Sequence, residues 1–271
     1  MRFVAYQDED GAEALGRLDG TRVHRLRGAD RIDRAVPDLD GAPAAETGVE
    51  LDGLTLLPVV RPEKVFCVGL NYRAHVEETG RDLPDYPVLF PKFASSLIGH
   101  GAPITLPPES SQVDYEAELA VVIGKAGRRI PRDRAFEHVL GYTIANDVTM
   151  RDFQYRTHQW MQGKAWDAST PLGPVLVTAD ELDPAKLDIS LHLNGREMQS
   201  SNTDRLIFDV PRLIEVTSQF TRLEPGDVIL TGTPGGVGYR RDPQVFLADG
   251  DVVEVTIAGI GTLRNTVRAE A

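Results

Sequence analysis

The sequence predicts a β-rich α+β protein, with a rolled or barrel-like antiparallel body after a small N-terminal α/β unit. Residues 119–123 are apolar on both faces, which is typical of a strand in a sheet buried on both sides. Beyond residue 174, short strand-like runs alternate with turn signals. Residues 37–53 are rich in Pro, Gly, Ala and acids without clear periodicity, which indicates a linker behind the N-terminal unit.

The N-terminal unit begins with strands. Residues 2–6 alternate in polarity as a strand does, and two further strand-like runs flank the turn Asp19-Gly20 as a hairpin. We therefore predict a small N-terminal domain at residues 1–58 and a main domain at residues 59–271.

The main domain opens with a short buried strand at residues 64–69. A short helix is predicted to follow, with Asn71 as its N-cap and Gly80 as its stop signal. Residues 81–87 contain two prolines and two aspartates, so we expect a loop there.

A second helix is predicted after a strand at residues 141–145, beginning at Asp147 as N-cap and running to about Met161. Spacings of four, three and four place four polar side chains on one face of it: Asp147, Arg151, Gln154 and His158. Such a stripe can bind a small carboxylate ligand, although a solvated polar face has the same pattern.

Composition narrows the classes of function. The chain has 271 residues and a formal net charge of −12, which argues against nucleic acid or an anionic membrane as a partner. No apolar run approaches the roughly 20 residues needed to cross a bilayer, and no secretory signal is visible. A single cysteine, Cys67, excludes an internal disulfide. We expect a cytoplasmic protein.

Three acids alternate at the start of the most apolar strand. Asp114, Glu116 and Glu118 project to the same side because side chains in a strand alternate between faces. At a spacing of about 7 Å and an effective dielectric of about 20, neighbouring carboxylates repel by roughly 2–3 kcal/mol. Either this end of the strand lies in water or a cation binds to it.

Other candidate groups are ambiguous when taken singly. His75 and Glu78 are neighbours on one helix face, where a carboxylate can orient an imidazole as a general base, yet exposed pairs of this kind are common. Lys164 lies in a loop-like stretch that equally fits a surface lysine. The glycine-rich run at residues 232–238 fits a turn that lines a pocket better than a nucleotide-binding loop. Serine hydrolase and common zinc motifs are absent from the sequence.

Taken together, six segments resemble the fumarylacetoacetate hydrolase family. They run in order from about residue 64 onward: Val68-Gly69-Leu70-Asn71-Tyr72-Arg73-Ala74-His75, Pro91-Lys92-Phe93-Ala94-Ser95-Ser96-Leu97-Ile98-Gly99, Asp114-Tyr115-Glu116-Ala117-Glu118-Leu119, Asn146-Asp147-Val148-Thr149-Met150-Arg151-Asp152, Gln162-Gly163-Lys164 and Gly226-Asp227-Val228-Ile229-Leu230-Thr231-Gly232-Thr233-Pro234. The resemblance implies a fumarylacetoacetate hydrolase-type β-roll core, a divalent cation (Mg²⁺ or Mn²⁺) and a homodimer.

The resemblance also implies roles for single residues. The implied metal ligands are Glu116, Glu118 and Asp147. The implied catalytic residues, with the first two as a dyad on a mobile lid helix, are His75, Glu78 and Lys164. The implied substrate-binding residues are Arg151, Gln154 and Thr233. Asp114 is expected beside the ligands or in solvent, and His100 and His158 receive no role.

The function that follows is hydrolysis of a carbon–carbon bond in an acylpyruvate-type 1,3-dicarbonyl acid, as in the catabolism of aromatic compounds. Glu78 would orient His75, which would deprotonate the attacking water, while Lys164 and Arg151 offset the charge of the departing enolate. The substrate is expected to be a small anionic 2-oxo acid. Alternatives are an oxaloacetate-type decarboxylase or a 2-hydroxyhepta-2,4-diene-1,7-dioate-type isomerase, which need no attacking water, and a non-catalytic binding protein.

Overall fold

The computed structural model describes residues 1–35, 39 and 41–270. Its strands in chain order are β1 (Arg2–Gln7), β2 (Glu13–Asp19), β3 (Arg22–Arg25), β4 (Val49–Glu50), β5 (Val65–Gly69), β6 (Val88–Lys92), β7 (Leu97–Ile98), β8 (Ile104–Leu106), β9 (Val113–Asp114), β10 (Ala117–Ile123), β11 (Val139–Asn146), β12 (Thr149–Met150), β13 (Thr170–Thr178), β14 (Asp188–Leu193), β15 (Arg196–Asn202), β16 (Val228–Leu230), β17 (Val252–Ile257) and β18 (Gly261–Ala269). The α-helices are α1 (Ile32–Ala35), α2 (Arg73–Thr79), α3 (Arg151–Gln154), α4 (Met161–Lys164) and α5 (Val210–Phe220). The β-rich class is confirmed.

Most of these strands belong to one large sheet. Its order is β4-β3-β2-β1-β13-β11-β10-β16-β5-β6, with β7 also paired to β13. A second sheet has the order β15-β14-β17-β18-β8. Strand β10 lies inside the large sheet and every one of its residues is buried, as the two-sided apolar pattern predicted. A site on this strand is therefore enclosed within the sheet.

The N-terminal strands extend the large sheet. The predicted hairpin is present as β2 and β3, and β1 pairs antiparallel with β13 through Phe3 and Leu176. In the predicted linker, β4 pairs with β3, while residues 36–38 and 40 lie outside the described part. The N-terminal segment thus shares a sheet with the main body, and the domain division at residue 58 stays a prediction.

The first segment of the main domain follows the prediction except at one residue. Strand β5 is present, and α2 ends at Gly80 in the left-handed conformation with φ 66°. Asn71, however, is not the N-cap, which is Tyr72. The Asn71 amide instead donates to the carbonyl oxygens of Thr231 and Phe208, so it joins the segment before α2 to two distant loops.

The long helix predicted from Asp147 to Met161 is wrong. The structure has the short strand β12, then α3 and α4 with a turn between them. Asp147 does not cap a helix, because its carboxylate binds two buried lysines. Lys164 accordingly lies in α4 and not in a loop. Helix α5 was missed, although its N-cap Asp209 and the following proline are ordinary start signals. No helix in the described residues is long and apolar enough to span a bilayer.

Candidate metal centre and active site

Three carboxylates meet where β10 and β11 lie side by side. The register pairs Ala117 with Asn146, so Glu116 just before β10 and Glu118 within it lie beside Asp147 just after β11. The Asp147 N–H donates to the Glu116 carbonyl oxygen at 2.9 Å, which fixes this junction. All three acids are buried, and one oxygen from each lies within 4.8 Å of the others. Carboxylate oxygens at this spacing match the ligands that Mg²⁺ and Mn²⁺ prefer.

Buried cations surround the acids. Lys164 Nζ lies 2.7 Å from both Glu116 Oε2 and Asp147 Oδ2. Lys92 Nζ lies 2.7 Å from Asp147 Oδ1 and also donates to a backbone carbonyl. Arg151 Nη2 lies 2.7 Å from Glu116 Oε1, yet it makes no hydrogen bond of good geometry and is left with an unpaired donor. Lys92 received no role from the sequence, although it lies in a segment that carried the resemblance.

Asp114 is a buried anchor for Arg151. The strand is interrupted after Asp114, which belongs to β9, and its carboxylate lies 2.8 Å from Arg151 Nε. It also accepts from the backbone N–H groups of Gly238 and Tyr239. Asp114 is therefore beside the acid cluster, as expected, and its contact is with a cation that can hold a ligand.

The site has more negative than positive charge. Asp114, the three clustered acids and the three buried cations leave one net negative charge among these described groups. Glu118 has no ion pair with a described residue, and its carboxylate accepts from the Gly232 N–H at 2.7 Å. A bound divalent cation would reverse the sign of this sum, which suits an anionic ligand beside the cluster.

The pKa shifts of the buried acids and of Lys164 agree with this excess of negative charge. Burial, then Asp147 and Glu116, raises the pKa of Glu118 well above its ordinary value. Burial acts in the same direction on Glu116, but Lys164 and Arg151 outweigh it and lower the pKa of Glu116 to about 2. For Lys164, burial would lower the pKa, and Asp147 with Glu116 outweigh burial and raise it. Lys164 is thus a fixed cation, and the acids fit a divalent cation beside Glu118.

The His75–Glu78 pair is held by hydrogen bonds on α2. His75 Nδ1 lies 2.7 Å from Glu78 Oε1, and Glu78 Oε2 accepts from the Gly236 N–H at 2.8 Å. Because an ionised carboxylate only accepts, this contact requires the proton on Nδ1, which leaves Nε2 as the ring nitrogen that can act as a base. His75 is 8% exposed, so its ring is largely shielded from water, whereas Glu78 is half-buried.

Seven of the nine predicted site residues line one small cavity of about 20 Å³: His75, Glu116, Glu118, Arg151, Gln154, Lys164 and Thr233. Glu78 contacts it through His75, and Asp147 through Lys164. Gln154 Oε1 accepts from Arg151 Nη1 at 2.9 Å. His100 Nδ1 accepts from the Arg264 N–H, away from this cavity. The structure brings the predicted residues together, and their individual roles stay predictions.

A buried trio of acids, a carboxylate-held histidine and buried cations around one cavity define the class: a candidate divalent-metal enzyme acting on a small anion. The family model of the fumarylacetoacetate (FAA) hydrolase C-terminal domain matches residues 64–268. The chain belongs to the fumarylacetoacetate hydrolase family, which confirms the resemblance seen in the sequence.

Named relatives in this family are enzymes of different kinds. The chain is 50% identical over 215 residues to the mitochondrial oxaloacetate tautomerase FAHD2A of Bos taurus, covering 78% of this chain and 68% of the relative. It superposes on a fumarylacetoacetate hydrolase from Exiguobacterium antarcticum with a TM-score of 0.88 and 38% identity, over 100% of both chains. It superposes on a maleylpyruvate hydrolase from Sphingobium sp. SYK-6 with a TM-score of 0.81 and 29% identity, also over 100% of both.

Proposed function

We propose that this protein is a divalent-cation-dependent enzyme that interconverts the keto and enol forms of a 2-oxo acid of the oxaloacetate type. The observation that carries the proposal is the His75–Glu78 pair on the same small cavity as the acid cluster. The half-identical relative named an oxaloacetate tautomerase supports this reaction over the others. The proposal replaces carbon–carbon hydrolysis as the preferred reaction, which the relatives support less specifically.

Ligand binding falls to the cations that line the cavity. Arg151 Nη2 forms an ion pair with Glu116 but donates no hydrogen bond to a described residue. Its Nε is held by Asp114, so the guanidinium is oriented before a ligand arrives. An oriented guanidinium suits the carboxylate of a 2-oxo acid because the two groups match in geometry. A divalent cation held by Glu116, Glu118 and Asp147 would polarise the 2-oxo carbonyl as a Lewis acid.

Proton transfer falls to His75. Glu78 fixes the ring through Nδ1, so Nε2 can take the proton from the carbon next to the 2-oxo group, which leaves an enolate. The protonated ring then returns this proton to the enolate oxygen, which gives the enol. Charge that develops on the oxygen during this step is offset by Lys164, which stays protonated because Glu116 and Asp147 raise its pKa. No attacking water is needed, which distinguishes this reaction from hydrolysis.

The second candidate is hydrolysis of an acylpyruvate-type bond. The same pair favours it, because a histidine held by a carboxylate can also deprotonate water, and a relative of 29% identity is named a maleylpyruvate hydrolase. Decarboxylation remains a further alternative on the same residues. The homodimer, the cytoplasmic location and the choice of Mg²⁺ or Mn²⁺ are also carried forward as proposals.

The test compares two reactions in one preparation. Exchange of the carbon-bound hydrogens of oxaloacetate with D₂O is followed by NMR, and cleavage of an acylpyruvate is followed by release of pyruvate, each with magnesium and with chelator. We expect magnesium-dependent exchange that is faster than cleavage. Cleavage without accelerated exchange would instead establish the hydrolase.

Two variants assign the residues. His75→Ala should lower the exchange rate by about 10²–10⁴ and leave magnesium affinity unchanged. Glu116→Ala should abolish both magnesium binding and exchange. An unchanged rate in His75→Ala would reassign the base, and retained magnesium-dependent activity in Glu116→Ala would overturn the ligand assignment.

A further inference from the structure

A buried glutamine of the second sheet contacts both the acid cluster and a residue that lines the cavity. Gln199 lies on β15 and is 2% exposed. Its Oε1 accepts at 2.9 Å from the N–H of Ala117, the residue between the two candidate glutamate ligands. Its Nε2 donates to Thr233 Oγ1 and to the Pro234 carbonyl oxygen, each at 2.8 Å. One side chain therefore joins three segments that are far apart in sequence.

A β-bulge turns this side chain inward. Leu191 of β14 pairs with Gln199, and the next residue, His192, pairs with Glu197. Met198 is thus the extra residue of a bulge in β15. Met198 and Gln199 are both buried, whereas successive residues of a regular strand point to opposite faces. Bulges of this kind redirect side chains next to active sites.

Two backbone groups fix which way the Gln199 amide faces. A backbone N–H only donates, so the amide atom that faces Ala117 is the oxygen. A backbone carbonyl only accepts, so the amide atom that faces Pro234 is the nitrogen. The two constraints agree, and the second hydrogen of the amide nitrogen is directed to Thr233 Oγ1. The orientation of the amide therefore follows from the backbone alone.

The amide in turn determines what the Thr233 hydroxyl can do. A hydroxyl has one hydrogen to donate and two lone pairs that accept. Because Gln199 supplies a hydrogen to Oγ1, the hydrogen of the hydroxyl itself is left for another partner, and no described residue accepts it. Thr233 is buried and lines the cavity together with Arg151 and Lys164. Its hydrogen is therefore available to a ligand oxygen in that cavity.

The backbone of the turn after Thr233 has supports other than Gln199. Arg241 Nε donates to the Gly236 carbonyl oxygen at 3.2 Å, and Arg241 Nη2 donates to the Met198 carbonyl oxygen. The turn lies so close to the bulge that a Cβ at Gly236 would be 2.3 Å from the Met198 carbonyl oxygen. Loss of the Gln199 amide should therefore release the hydroxyl of Thr233 and leave the turn in place.

We propose that Gln199 is a positioning residue that holds the Thr233 hydroxyl as a hydrogen-bond donor to an oxygen of the bound 2-oxo acid. The inference rests on the proposed function for the identity of the ligand. It adds a cause of specificity to that function, because a fixed donor beside Arg151 and Lys164 favours an anionic oxygen at this place.

The test is a double-mutant cycle between Gln199 and Thr233. The dissociation constant of pyruvate, which carries the 2-oxo acid head alone, is measured by calorimetry at saturating magnesium. The proteins are the wild type, Gln199→Met, Thr233→Val and the double variant. Gln199→Glu, alone and with Thr233→Val, gives a second cycle, because glutamate keeps an oxygen for the Ala117 N–H and its carboxylate cannot donate to Thr233.

Asn265→Leu is the matched control for loss of a buried amide. Asn265 lies on β18 of the same sheet, and its amide donates to the carbonyl oxygens of Gly99 and Ala102. It is 2% exposed and does not line the cavity. This variant should lower Tm and leave the dissociation constant of pyruvate unchanged.

We expect Thr233→Val to weaken pyruvate binding about tenfold when Gln199 is present, the range of a hydrogen bond to a charged group. The same change should weaken binding less than about threefold when Gln199 is replaced by methionine or glutamate. An equal effect of Thr233→Val in all backgrounds, no effect in the wild type, or weaker binding in Asn265→Leu would overturn the positioning role. Absence of magnesium-dependent pyruvate binding in the wild type would overturn the ligand class, and with it the proposed function.

Discussion

Replacing Lys92 with methionine should destabilise the protein more than any exposed lysine substitution. The ammonium is completely buried and lies 2.7 Å from Asp147 Oδ1. At that distance and an effective dielectric of about 20, the attraction is about 6 kcal/mol, and the desolvation of the lysine offsets part of it. We expect a loss of about 3–5 kcal/mol of unfolding free energy, or roughly 10 °C in Tm, because Asp147 keeps its charge in a dry site.

Magnesium should restore more stability to Lys92→Met than to the wild type. Without Lys92 the described groups of the site carry two net negative charges and not one. Relief of repulsion between a lysine and a nearby dication is worth several kcal/mol. The same substitution also has an opposing effect, because Asp147 loses the lysine that orients it. That loss would weaken metal affinity about 10–100-fold, which corresponds to less than about 3 kcal/mol. The electrostatic effect is the larger, so the magnesium-induced rise in Tm should increase.

The assay is thermal unfolding with chelator and with excess magnesium. Lys186→Met is the matched control, because Lys186 also pairs with an aspartate but is 79% exposed, and it should leave Tm unchanged in both conditions. If Lys92→Met and Lys186→Met behave alike, or if magnesium raises the Tm of Lys92→Met no more than that of the wild type, the charge balance derived for the site is wrong.

Three further predictions concern other residues. Glu118→Gln should change stability little in chelator, because the raised pKa of Glu118 already favours its neutral form when no metal is bound. It should weaken magnesium binding by about 100-fold in calorimetry, and unchanged affinity would exclude Glu118 as a ligand. Gly69→Ala should lower the unfolding free energy in urea by about 1–3 kcal/mol and change tryptophan fluorescence, because the added Cβ displaces Trp160. Gly41→Ala, which places no atom within 4 Å of the new Cβ, is the control. An unchanged unfolding free energy in Gly69→Ala would contradict the contact. Burial, then Arg264, lowers the pKa of His100 below 6.5. The stability that neutral His100 contributes is therefore present above pH 6.5 and is lost as the pH falls through the folded-state pKa. His100→Gln should flatten the fall in unfolding free energy on acidification, and identical pH profiles of the two proteins would refute this.

The sequence could predict which side chains are neighbours when local periodicity determines it. It could not predict neighbours that are brought together by long-range contacts. The alternation of Glu116 and Glu118 follows from strand geometry, and so does the neighbourhood of His75 and Glu78 on one helix face. The position of Asp147 beside them depends on the register between β10 and β11, which local patterns do not set.

Lys92 illustrates the limit more sharply. It lies on β6, which is separated from β10 by β16 and β5, and nothing near it in sequence indicates an acidic partner. The false helix from Asp147 has the same cause, since helical spacing fitted the polar residues while two buried lysines bind the Asp147 carboxylate. Resemblance to a family implied a ligand role for Asp147, because it carries information about the whole fold, but it gave Lys92 no role.

The pairing of β1 with β13 has a consequence for synthesis of the protein. Strand β1 is made long before β13, because its partner Leu176 is added about 170 residues after Phe3, which takes roughly 10–30 s at ordinary elongation rates. During that interval the hairpin of β1 and β2 exposes an unpaired apolar strand edge on the ribosome. Slower elongation before residue 178 would lengthen this exposure, so yield in cells should depend on chaperones that cover nascent β-strands.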